Sequence, residues 1–168
     1  MIANRQRRIA LAVRPLSDFL RRAQQELGFP ENGVTVRLIS DSAMSRLNRR
    51  FRGKSGPTDV LSFPANSVGT RRSFPVRFKP KTRHAANAGD AAAARKRRED
   101  SGYVGDIALS PETARRNARL YSRSLPEELR ILVLHGLIHL AGFDHEKDQG
   151  QMERLERRLR RRLGLEPS

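Results

Sequence analysis

His135-Gly-Leu-Ile-His139-Leu-Ala-Gly142-Phe-Asp144-His145 is the stretch on which the reading of the chain turns. On a helix, residues four apart differ by roughly 6 Å in rise and about 40° in rotation, so the imidazoles of His135 and His139 face the same way. Gly142 falls where helices commonly stop, because glycine enters the left-handed conformation without a Cβ penalty. The chain can turn back there and carry His145 toward the same point. Three neutral imidazoles with no fourth protein ligand form the donor set of an open zinc site, with water in the remaining position.

Core histidines satisfied by hydrogen bonds are the bland alternative. Clustering argues against it, since three of the chain's four histidines lie in this stretch among mostly apolar neighbours. A purely structural zinc would ask for four ligands, usually including cysteine, and the chain has no cysteine. Asp144 could complete such a set, but adjacent residues rarely both reach one ion. The expectation is one Zn2+ on His135, His139 and His145, although three imidazoles also suit nickel, copper or cobalt. Metalloproteases that use a two-histidine helix place their glutamate base directly after the first histidine. Here that position is Gly136. Peptide hydrolysis by that route is disfavoured.

Composition narrows the partner. The 168 residues point to one domain spanning 1–168, with 34 Lys and Arg against 18 Asp and Glu, a net charge of +16 and a pI near 11.6. Such a surplus calls for a polyanion, nucleic acid before anionic membrane. No apolar run reaches the length of a membrane span, the first residues lack the apolar core of a signal peptide, and the absence of cysteine fits the cytoplasm.

Outward from the histidines, Leu129 to Leu140 is apolar almost all round, behind the capping box Ser124-Leu-Pro-Glu127, so the histidine helix should be central and buried. After it, Asp148 and Gln151 open a last helix with the stripe Met152, Leu155, Leu159, Leu163 and a stop at Gly164. Its other face carries Arg154, Arg157, Arg158, Arg160, Arg161 and Arg162, a candidate RNA contact or simply a solvated face. Upstream, Tyr103 to Leu109 reads as a strand, followed by a helix capped at Ser110 and running to about Tyr121. Asp106 interrupts that apolar strand. It could orient a metal-bound imidazole or pair with an arginine.

The N-terminal half supplies scaffold. Ile2, Ile9, Leu11 and Val13 alternate as in a strand, Leu16 to Leu27 repeats at helical spacing before Gly28, and Val34 to Ile39 alternates again. Ser40 or Asp41 caps a helix with Met44, Leu47 and Phe51 on its apolar face. Then Phe51-Arg52-Gly53-Lys54-Ser55-Gly56-Pro57 carries two cations in a Gly/Pro loop before a strand at Val60 to Phe63. Arg52 could grip phosphate there, or the loop could be merely exposed. Residues 65 to about 100 hold ten basic residues against Asp90, Glu99 and Asp100, with too little apolar surface to offset ordering entropy, and read as a flexible basic insertion.

On HGLIHLAGFDH at 135–145, FRGKSGPTDVLSFP at 51–64 and GYVGDIALSPETARRNA at 102–118, with Met152 and Glu153 in the last helix, the chain resembles the YbeY-type endoribonucleases, rRNA maturation factors of bacteria. The motifs span about residues 34 to 163. Ile138 stands where Leu is usual, Phe143 where Tyr is usual, and the basic insertion falls between two motifs. The resemblance implies an α+β fold, a mixed sheet of about four strands with about five helices. It implies zinc on the three histidines and a single-strand-specific endoribonuclease, and it makes Arg52 the family's arginine. It further implies small-subunit ribosomal RNA maturation and ribosome quality control in the cytoplasm. The partners would be ribosomal RNA, the small ribosomal subunit and ribosomal or assembly-factor proteins, with no membrane. Asp144 would shape the turn that presents His145, with proton transfer as a lesser role. The rival is a non-catalytic RNA-binding assembly factor whose zinc organises the fold.

Overall fold

The computed structural model describes residues 1–65, 102–144 and 149–165. Along the chain these form β1 (Ile2–Asn4), α1 (Val13–Glu26), β2 (Val34–Leu38), α2 (Asp41–Arg52), β3 (Val60–Pro64), β4 (Gly105–Leu109), α3 (Pro111–Leu120), α4 (Leu125–Leu140) and α5 (Gln151–Leu163). The strands make one mixed sheet in the order β1-β2-β4-β3, in which β1, β2 and β4 are parallel and β3 runs antiparallel to β4. The α+β architecture expected from the sequence is the one observed.

Strand alternation divides the sheet into two faces. Val34, Val36, Leu38, Ile107 and Leu109 join a large core with α1, α4 and α5. Leu61, Phe63 and Ala108 join a smaller one with Ala43, Met44 and Leu47 of α2. Covered on both sides, β4 is buried at every position and, apart from Asp106, carries only apolar residues. Helix α4 lies against β3 and β4 and touches α1, α3 and α5 as well. Its start is capped by Ser124, whose Oγ accepts from the Glu127 amide at 3.3 Å. An all-round apolar helix can be accommodated only in such a central place.

At Gly136 the helix packs tightly on the sheet. A Cβ there would stand 3.0 Å from two carbons of Ile107 and 3.1 Å from Ser62 Oγ. The Ser62 hydroxyl donates to the Gly136 carbonyl at 3.1 Å, tying edge strand β3 to the helix one residue past His135.

The strand expected from Ile2 through Val13 is a correction. Only Ile2–Asn4 pairs with β2, and Val13 already opens α1. Beyond Arg5, which donates to the Leu38 carbonyl, the Gln6 side-chain amide satisfies both backbone groups of Ile9 at 2.9 Å. Ile9 is therefore buried in a turn rather than in a ladder. The last helix begins after Gly150, in a left-handed conformation without a side-chain cap; Asp148, the expected opener, lies outside the described residues. So does the expected insertion beyond Ala65.

The starts of α2 and α3 are knotted together. Ser40 and Ser110 each cap their own helix, and the Asp41 carboxylate accepts from Ser110 and Thr113 hydroxyls and from Arg116 at 2.8 Å. Glu112 accepts from the Asp41 amide in return. Partial burial pushes the Asp41 carboxyl up, but these hydrogen bonds and the Arg116 charge outweigh it and hold it below the usual range. A carboxyl depressed on folding stabilises the protein above its unfolded value, near pH 3.9, and that contribution disappears as pH falls through the folded value. Asp41→Asn is expected to cost about 1–3 kcal/mol at neutral pH. It should also flatten the acid side of the stability profile. Urea unfolding between pH 7 and pH 3 checks this, and equal losses for both proteins across that range would contradict it.

Candidate metal centre

His135 and His139 meet as their spacing in α4 demands. Their Nε2 atoms are 3.1 Å apart, and the rings stand edge to face with centroids 4.7 Å apart. Each Nδ1 is held from behind. His139 Nδ1 lies 2.9 Å from the Phe143 carbonyl oxygen, which can only accept, so this nitrogen carries the proton. His135 Nδ1 lies 3.0 Å from Glu156 Oε2 of α5, and the other Glu156 oxygen is bridged to Arg160. Burial raises the Glu156 carboxyl, but the His135 hydrogen bond and the Arg160 charge outweigh it and hold the group below its usual range. Glu156 is thus an ionised acceptor near neutrality, and His135 Nδ1 donates to it.

Both imidazoles consequently turn Nε2 lone pairs toward each other. A bare pair at that distance is repulsive, and a shared cation removes the conflict. Two nitrogens bound to one tetrahedral zinc at about 2.0–2.1 Å would be about 3.3 Å apart, close to the spacing seen. The donor set fits a metal. Among the described residues no third His, Asp or Glu completes a group, and His145 lies outside them.

The turn after α4 works as the glycine suggested. Gly142 has φ +93°, its amide donates to the His139 carbonyl, and the Phe143 amide donates to the Ile138 carbonyl. This double closure is a Schellman ending. It places the Phe143 carbonyl on His139 Nδ1, so the residue that ends the helix also fixes a tautomer. Asp144 follows, half-buried.

A family model described as endoribonuclease YbeY matches residues 1–164. The chain belongs to the YbeY family. An endoribonuclease YbeY of Koribacter versatilis is 38% identical over 168 residues, covering 100% of this chain and 88% of that one. One of Solibacter usitatus is 35% identical over 147 residues, covering 88% and 76%. A Thermotoga maritima protein solved in solution shares the fold, with a TM-score of 0.54 at 24% identity, over 97% of this chain and 89% of that one.

In this YbeY-family chain the other expected site residues sit on different elements. Arg52 is exposed in the last turn of α2, anchored by its neighbour Phe51 edge-on to Phe63 of β3, with ring centroids 5.0 Å apart. That helix covers the opposite sheet face from α4. Of the two roles open to Asp106, the structure shows the pairing with an arginine, away from His135 and His139. Strand parity points Ile107 and Leu109 into the core that includes α4 and sends Asp106 to the other face, where Arg37 Nε approaches it at 3.4 Å. The orienting acceptors at the two imidazoles are Glu156 and the Phe143 carbonyl. Glu156 was missed, yet it carries a signal. It stands four residues after buried Met152, at the edge of the apolar stripe where a carboxylate needs a partner.

Proposed function

We propose that the chain is a zinc-dependent endoribonuclease that cuts single-stranded RNA in maturation of the small-subunit ribosomal RNA and in ribosome quality control. The observation that carries this reading is the pair of Nε2 atoms converging at 3.1 Å, with both Nδ1 atoms held by acceptors. Family membership supports RNA cleavage, and the net charge of +16 suits a polyanionic substrate. The proposed ligands are His135, His139 and, beyond the described residues, His145. The proposed surroundings are the cytoplasm, with the small ribosomal subunit and its proteins as partners; no helix among the described residues is long and apolar enough to cross a membrane.

His135 and His139, with His145, would hold a divalent ion, which would supply Lewis acidity to water and to a phosphoryl oxygen. Glu156 and the Phe143 carbonyl keep the two imidazoles neutral, oriented and basic at Nε2. Arg160 keeps Glu156 ionised. Arg52, in this reading, pairs with the scissile phosphate and stabilises charge that grows on it during cleavage. Gly136 provides no base, and in this reading Asp144, in the turn after α4, is the candidate for proton transfer.

Elemental analysis of the purified protein is expected to return about one zinc per chain. Chelation should abolish cleavage of ribosomal RNA, and added zinc should restore it. Undiminished cleavage after complete metal removal would sink the proposal. His139→Ala separates it from the reading as an assembly factor with a fold-organising zinc: a folded variant that binds RNA without cutting it supports catalysis at the site, and one that still cuts it favours neither the ligand set nor the mechanism.

A further inference from the structure

Helix α5 has a second face that the metal centre does not use. Its buried side holds Met152, Leu159 and Leu163, and Glu156 at the edge of that side reaches His135. Arg154, Arg157, Arg158 and Arg161 are exposed on the remaining surface. Arg157 is bridged to Glu153 at 2.7 Å and Arg154 donates to the Gln149 carbonyl, whereas Arg158 and Arg161 make no ion pair among the described residues. Spacings of three and four residues make these guanidinium groups neighbours and mutually repulsive. Glu153 offsets Arg157, and Glu156 is turned to His135 and Arg160, so Arg154, Arg158 and Arg161 leave the row with a surplus of positive charge. The helix contains no lysine; every cation on it is an arginine, whose planar fork matches phosphate oxygens two at a time.

We infer that this face is a grip for the sugar–phosphate backbone of RNA, distinct from the metal centre and about 10 Å long from Arg154 to Arg161. The inference rests on reading the chain as an RNA-cleaving protein and adds where the strand is held. Regularly spaced phosphates are the partner that a regular row of guanidinium groups complements.

The test uses the full chain and a variant with Arg154, Arg157, Arg158 and Arg161 all changed to Gln, folded as judged by circular dichroism and unfolding midpoint. Binding to a uridine homopolymer is measured across a salt series. Each lost phosphate contact on a single strand should reduce the slope of log K against log salt by about 0.7, so the variant is expected to lose nearly 3. The corresponding Arg→Lys variant should keep most of the slope. An unchanged slope in the Gln variant overturns the inference. So does an equal loss per residue from Arg115→Gln with Arg119→Gln on α3, since charge would then act from anywhere. Loss of binding to polyglutamate with RNA binding intact would assign the face to an acidic protein and overturn it too. Because the readout is binding, a protein that holds RNA in this way but never cuts it would defeat the proposed activity and leave the grip standing.

Discussion

Glu156→Ala is expected to weaken zinc binding ten- to a hundredfold while leaving the three proposed ligands in the sequence. The carboxylate holds the proton on His135 Nδ1, keeps the Nε2 lone pair directed at His139 and raises the basicity of the ring. Without it, His135 is free to turn or to change tautomer, and Arg160 loses the carboxylate that it pairs with. Glu156→Gln keeps an acceptor oxygen and removes the charge, so it should fall between the parent and the alanine variant. Competition against a chromophoric chelator reads the affinity directly, without relying on cleavage. Parental affinity in a folded Glu156→Ala protein would make the contact incidental to metal binding.

Gly136→Glu, which would restore the residue used as a base by two-histidine proteases, is expected to abolish folding rather than confer peptidase activity. A Cβ at this position already presses on Ile107 and on Ser62 Oγ at 3.0–3.1 Å. Overpacking of this kind costs about 1–3 kcal/mol, and burying an unpaired carboxylate adds several more. A sum above about 4 kcal/mol is a large fraction of the stability of an ordinary domain. Unchanged denaturant midpoints for the variant would refute the packing argument. The glycine therefore has a positive reason, since it lets the histidine helix lie directly on β4 and accept the Ser62 hydroxyl from the edge strand.

What the sequence made legible was what depends on neighbours along the chain. His135 and His139 four apart, Gly142 at the helix end and the stripe Met152, Leu155, Leu159, Leu163 all follow from helical geometry, and the helices form where those patterns lie. For Asp106 the sequence leaves two roles open, because the choice depends on which sheet face meets α4, a question that strand alternation cannot answer until the helices are placed. Glu156 was overlooked because the pairing that explains it links α5 to α4 across 21 residues of sequence. Ile9 looked like strand because its alternation is real, and only the Gln6 side chain reveals that its backbone is satisfied locally. Arg52 owed its prominence to the family motif, and the structure adds that Phe51 anchors its helix to β3.

Pro64 faces Gly105 in the sheet, and the Ala65 amide donates to the Val104 carbonyl at 2.8 Å. The described residues on either side of the 66–101 segment thus stand next to each other, at one end of the β3–β4 pair. With both ends pinned side by side, a change in the length of the segment joining them asks neither strand to move, and the histidine helix on the sheet behind keeps its seat.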